Sequence, residues 1–274
     1  MGSEQENREG AADVAPPKRA RAKQDHDWYR SVEWDADIAA AFEAKLARAR
    51  SARGEYLRVQ GSTLALQEGP HERLREVGRE LLTRFMAETA ASGAGPARVN
   101  SGGSALAQSF ALSGRYAEAA LEFRAVLRRI DEAGTSSYTS GAVEFELAEV
   151  LLHLGGRSSL AEADALLRAA EPEMRRTPFF RNRLVSYLTA RARVARQLGD
   201  PDAASNYARA ALDLIAIQSA PLPRHPGVGV PHVDATTRKE LERLVAVRRR
   251  RRWPFGGLRN TGQPTSSPTP PTPS

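Results

Sequence analysis

The feature that most constrains this chain is a small or apolar residue that returns at a nearly fixed interval. Val77, Ala119, Ala163 and Ala204 stand 42, 44 and 41 residues apart. Each lies in the second of two apolar stripes of helical period, with a Gly-containing turn between the stripes. In 104–127 the first stripe is Leu106, Ala107 and Phe110, the turn is Gly114-Arg115-Tyr116, and the second stripe is Ala119, Phe123, Val126 and Leu127. In 147–170 the sequence runs Leu147, Ala148, Leu151, then Gly155-Gly156, then Ala163, Leu167 and Ala170, with a few extra turn residues. In 188–212 it runs Leu188, Ala192, Ala195 and Leu198, then Gly199-Asp200-Pro201, then Ala204, Ala211 and Leu212. A degenerate copy precedes them: Gly61, Leu64, Gly69, Val77, Leu81 and Phe85. Periodic helical pairs of this length stack on one another, because no pair buries its apolar face alone.

Ala107 and Ala119 let the two helices of a pair approach closely. Phe110, Tyr116 and Phe123 fill the space around the crossing, and Gly114 provides the backbone freedom that a helix C-cap often needs. Composition agrees: 41% of the 274 residues are hydrophobic and only 6% aromatic, a mixture rich in Ala, Leu and Arg that favours helix over sheet.

These segments resemble the tetratricopeptide repeat (TPR), in which Leu-Gly/Ala, an aromatic, a Gly-x-Tyr turn, and then Ala, an aromatic and Ala follow in order. The period here exceeds the usual TPR length of about 34 residues, so the resemblance is to an array with longer helices and connections, covering about residues 55–217. A generic helical bundle and a HEAT-like array are the leaner alternatives; the Gly-x-Tyr-x-x-Ala and Gly-Asp-Pro-x-x-Ala turns favour TPR. The segment 27–57, with its Trp-Tyr-Arg, Trp-Asp and Tyr-Leu-Arg elements, is similar to the N-terminal segment of bacterial TPR proteins, chiefly actinobacterial. There Asp35 is placed to cap a helix with the apolar line Ile38, Phe42 and Leu46, and Trp28 and Trp34 are read as packing residues that pin the entering chain.

The expected fold is all-α: a TPR-like α-solenoid of about four helical hairpins with an N-terminal helix, a C-terminal capping helix and disordered tails. The tails are 1–27 and 254–274 and the repeat domain is 28–253. Its hairpins are expected near 55–90, 103–133, 141–172 and 178–218, with the capping helix at 234–252 starting from Asp234, Thr236 or Thr237. Interruptions are expected at 91–103, 134–141 and 220–231.

Chemistry is sparse. The chain has no Cys, which excludes disulfides, thiol nucleophiles and Cys-ligated metals. Its five His show no H-E-x-x-H spacing, and no G-x-S-x-G or P-loop is present. The Gly-rich stretch 92–103 lacks a phosphate loop's Lys and hydroxyl and reads as a flexible connector. His225 and His232 bracket a Gly/Pro loop, read as an ordered crossing rather than a metal site. Glu149 and His153, one turn apart, read as an ordinary helix-surface pair. No cofactor, metal or enzymatic activity is expected.

Charge is unevenly spread. The chain holds 40 Lys+Arg and 33 Asp+Glu, a formal net charge of +7. Residues 248–274 hold six Arg and no acid, so the body is near neutral. No apolar run approaches the ~18 residues of a membrane span, and the polar N-terminus shows no secretory core, which points to a cytoplasmic protein. The function expected from the resemblance is non-catalytic binding of a partner protein's peptide or helix in a concave groove. Alignment to the repeat puts Arg58, Gln108, Phe145, Glu149, His153, Arg193 and Arg196 on that groove. Arg193 and Arg196 are candidates to clamp an acidic peptide. The Lys/Asn pattern that holds a C-terminal carboxylate in chaperone-binding TPR proteins is missing. The alternative is nucleic-acid or anionic-membrane association through Arg248, Arg249, Arg250, Arg251 and Arg252, with the array as a passive scaffold.

Overall fold

The computed structural model describes residues 27–134, 142–176, 181–217, 219 and 229–251. The expected tails lie outside the described residues apart from Asp27, as do most of the interruptions at 134–141 and 220–231 and the last residue of the expected capping helix, Arg252. Ten α-helices and no strand occur among the described residues, so the chain is all-α there. None of these helices is long and apolar enough to cross a membrane. The chain divides into two compact units, Met1–Glu173 and Met174–Ser274.

The first unit opens with α1 (Ala36–Arg48). The Asp35 side chain accepts a hydrogen bond from the Ile38 N–H at 2.8 Å, an N-cap that contributes about 1 kcal/mol. The stripe Phe42 and Leu46 is buried against Leu57, Leu64, Leu81 and Phe85. Trp28 packs on Phe42 and Tyr56 with ring centroids 5.4 and 4.7 Å apart, and Trp34 meets Phe42 at 5.5 Å. The entering segment is also held by a residue with no sequence signature, Gln60, which is fully buried. Its Oε1 accepts from the Ser31 N–H at 3.0 Å and its Nε2 donates to the Ser31 carbonyl at 2.8 Å. Pairing both ends of a buried amide avoids the desolvation cost of an unsatisfied polar group.

Four helices follow, each packed on its predecessor: α2 (Arg53–Ala65), α3 (Glu72–Ala91), α4 (Pro96–Leu112) and α5 (Tyr116–Glu132). Then come α6 (Ala142–Leu154), packed on α5, and α7 (Gly156–Arg176). Two expectations are corrected here. The crossing residue of α3 is Gly78, not Val77. A Cβ at Gly78 would stand 2.3 Å from the Ala65 nitrogen and 2.7 Å from the Gly61 carbonyl, whereas Val77 only rims the core. The stretch 92–103 is not a connector. Its loop is only Ser92–Gly95, Pro96 starts α4, and Gly102 and Gly103 are buried inside that helix. A Cβ on Gly102 would lie 2.8 Å from Phe85, and one on Gly103 would lie 2.8 Å from Val126. These glycines serve close packing, which outweighs their roughly 1 kcal/mol helix penalty. Gly114, Gly155 and Gly199 have φ of +71°, +66° and +86°, the left-handed geometry that ends a helix at low cost to glycine alone.

An ion cluster of two buried arginines around the exposed Glu72 joins the turn after α2 to α3 and α4. Arg75 and Arg79 are each only 6% exposed. Arg75 donates to the carbonyls of Gln67 and Gly69, both at 2.8 Å, which satisfies backbone acceptors beyond the end of α2. It also reaches Glu72 at 3.0 Å and the Ser113 hydroxyl at 3.1 Å. Arg79 contacts Glu72 at 2.6 Å and the Ser109 and Ser113 hydroxyls at 3.2 Å. The Ser113 hydroxyl, donating at 2.6 Å, followed by the two guanidiniums, holds the Glu72 carboxyl down at about 2. Across α5 and α7, Arg124 makes a bidentate pair with Glu162 at 2.8 and 2.7 Å.

The second unit contains α8 (Arg181–Gln197), α9 (Pro201–Ile215) and α10 (Ala235–Arg251), with α9 packed on both α8 and α10. Asp200 caps α9 by accepting from the Ala203 N–H at 2.9 Å. Asp234 caps α10, accepting from both the N–H and the hydroxyl of Thr237. The core here is built from Val185, Leu188, Ala192, Ala204, Ala208 and Leu241.

Two outcomes follow for the first unit. Gly78→Ala is expected to cost about 1–3 kcal/mol or more, the overpacking range. Gly95→Ala, where a Cβ meets nothing within 4 Å and only the N-cap preference of glycine is lost, should cost about 1 kcal/mol or less in the same urea unfolding series. Because the Glu72 carboxyl is depressed in the folded state, its contribution is complete above pH 4.5 and fades as pH falls toward 2. Glu72→Gln should therefore flatten the loss of stability across that window, measured as unfolding midpoint against pH.

Candidate functional site

The first unit carries a cleft of about 490 Å³ walled by α4 and α6, with the start of α5 and the turn after α2 closing it. On α6, Phe145, Glu146, Glu149, Val150 and His153 point into it, the i, i+1, i+4, i+5, i+8 face of one helix. On α4 the lining residues are Gln108, Ala111 and Leu112, again one face. Phe123 forms an apolar base at 1% exposure, whereas Leu112 stands at the mouth with 46% of its surface in solvent. Leu66 and Glu68 contribute from the turn after α2.

Two contacts hold the walls. Tyr116 and His153 stack face to face, with centroids 4.4 Å apart and planes at 2°. Gln108 Nε2 donates to Glu146 Oε1 at 2.9 Å, tying α4 to α6. The cleft is mainly apolar inside. Three carboxylates, Glu68, Glu146 and Glu149, belong to its lining, and no Lys or Arg does.

Four of the seven groove candidates meet here: Gln108, Phe145, Glu149 and His153. The other three lie elsewhere. Arg58 is on α2, bonded to Glu55, and this bond holds the Glu55 carboxyl below the usual carboxylate range. Arg193 is in the second unit, where it makes a bidentate pair with Glu240 of α10 at 3.1, 3.2 and 2.8 Å. Its fork is thus already engaged by a carboxylate, which alters the expectation of an acidic-peptide clamp. Arg196, three residues further along the same helix, is exposed. The other eight lining residues, Leu112, Glu68 and Glu146 among them, were not groove candidates from the sequence. Glu146 had a signal, since it falls on the same helical face as Phe145, Glu149 and His153. Glu68, from a turn, had none.

Arg248–Arg251 continue α10 as helix, but their side chains lie outside the described residues, as does Arg252. His225 also lies outside them. No known protein family, curated protein or solved structure matches this chain.

The stacked pair is expected to be energetically coupled. A double-mutant cycle with Tyr116→Ala and His153→Ala should return about 0.5–1.5 kcal/mol, at the lower end because His153 is exposed.

Proposed function

We propose that the chain is a TPR-like, non-catalytic interaction module of the cytoplasm, and that the cleft between α4 and α6 receives a side chain from a partner's peptide or helix. The observation that carries this reading is an apolar recess with an exposed Leu112 at its mouth, Phe123 at its base and a stacked Tyr116–His153 wall. Burying a Leu- or Phe-sized anchor in such a site is worth about 1.5–3 kcal/mol, enough to make it the centre of a small interface. The repeat reading is supported by the helical pairs of the first unit, with fully buried Ala119 and Ala163 at the expected crossing positions and a positive-φ Gly114 at the turn. Ala204 and Gly199 hold the corresponding places in the second unit. The acidic-peptide clamp is not part of the proposal, since Arg193 is bound by Glu240.

The test is affinity capture from the native host with wild-type, Leu112→Asn and Phe145→Ala chains, each checked for unchanged helicity. Partners held by the wild type should fall by about tenfold or more in both variants, as expected when a central apolar anchor site is lost. Equal retention by all three chains would remove the cleft assignment.

A further inference from the structure

We infer that the C-terminal half of α10 is a contact for duplex DNA, gripping phosphates on both sides of a groove without reading sequence. This contact lies in the second unit and owes nothing to the cleft. Charge along the chain turns one-sided here. Glu242 is the last acid, and Arg243, Arg248, Arg249, Arg250, Arg251, Arg252 and Arg259 follow it. The other acid within α10, Glu240, is held in the bidentate pair with Arg193. One or two cations in the last turn of a helix offset its dipole, whereas α10 ends on Arg248, Arg249, Arg250 and Arg251.

Placement agrees with charge. Lys239 and Arg243 are exposed and one turn apart, and the position of Arg250 continues their line along the helix. The residue between them on that line is the small, exposed Ala246. From Lys239 to Arg250 the line runs about 16 Å. Behind it the apolar positions are committed to the unit's own packing: Leu241 is fully buried, and Leu244 and Val245 are partly buried. A helix seated in this way has no apolar face left to sink into lipid. Arg248 to Arg251 take four successive helical positions, and steps of about 100° carry them round the whole circumference. A planar bilayer meets one side of such a helix. The major groove of duplex DNA admits an α-helix and flanks it with phosphates. Arginine suits that partner through its planar, bidentate donors. The major groove of A-form RNA is too narrow for the same approach.

The experiment titrates the full-length chain, over a range of salt, against a fluorescein-labelled DNA duplex, one of its strands alone, and phosphatidylcholine–phosphatidylserine vesicles. The duplex should bind tightest, by about threefold or more over the single strand. Its log K should fall against log salt with a slope of about −4, as four or five phosphate contacts require. Changing Arg248 through Arg252 together to Gln should cost about tenfold or more and remove most of that slope. Lys239→Gln with Arg243→Gln should weaken duplex binding by about threefold to tenfold and flatten the slope by about 1–2. Both of these side chains are exposed, so helicity should be unchanged. A single strand bound as tightly as the duplex overturns the groove contact, and so does retention on vesicles without duplex binding. Full duplex affinity in the Lys239 and Arg243 double variant overturns the part given to α10. Absence of duplex binding at low salt overturns the whole contact.

Discussion

The first unit depends on how closely α2 and α3 can approach. The Gly78 position leaves 2.3 Å between a would-be Cβ and the Ala65 backbone, and Gly61 faces the same crossing with Leu82 at 3.0 Å. At that separation the two helices pack backbone to backbone, and the large side chains are displaced to either side of the crossing. Leu57, Leu64 and Phe85 go one way with the Trp28–Trp34 segment, and Leu82 goes the other way with Ala105 and Leu106. One contact thus sets two small cores rather than one large one. The same device returns where Gly102 and Gly103 admit Phe85, Met86 and Val126, so α4 is seated by missing side chains as much as by those it carries.

Arginine has a second structural role that the net charge hides. Arg53 and Arg84 share Glu88, Arg84 also reaches Glu43, and Arg124 grips Glu162. These side chains are one-third to one-half exposed, so individually the pairs add little. Their value is register, since a planar fork on a carboxylate fixes how far one helix slides along another.

How far the sequence foretold this depends on the kind of signal. Helical stripes and positive-φ turns were legible, because periodicity and Gly placement report local geometry: Gly114, Gly155 and Gly199 stand where a helix ends. The Asp35 cap was legible for the same reason. Composition misled at 92–103, where a Gly-rich look concealed a helix start at Pro96 and two packing glycines. Val77 was preferred over Gly78 because an apolar residue completes a stripe, whereas contact distance is a tertiary property. Four of the twelve cleft residues were readable, Gln108 from the repeat alignment and Phe145, Glu149 and His153 because they also share one helical face. Glu68 was not, because its position depends on how a turn folds back. Arg75 and Arg79 were hidden in an arginine-rich background that made any single arginine uninformative.

The Arg75 cluster bears on modularity. Chains of successive helices are often treated as beads that can be trimmed or shuffled at the loops. Here the boundary after Ala91 is a poor place to cut. Ser109 and Ser113 lie on the far side of it, yet they supply hydroxyls to guanidiniums rooted in α3. A fragment ending at that loop would strip Arg75 of one of its four partners and Arg79 of two of its three, on a face shaped to be covered. Helices α3 and α4 are therefore tied as one block, and engineering should move them together.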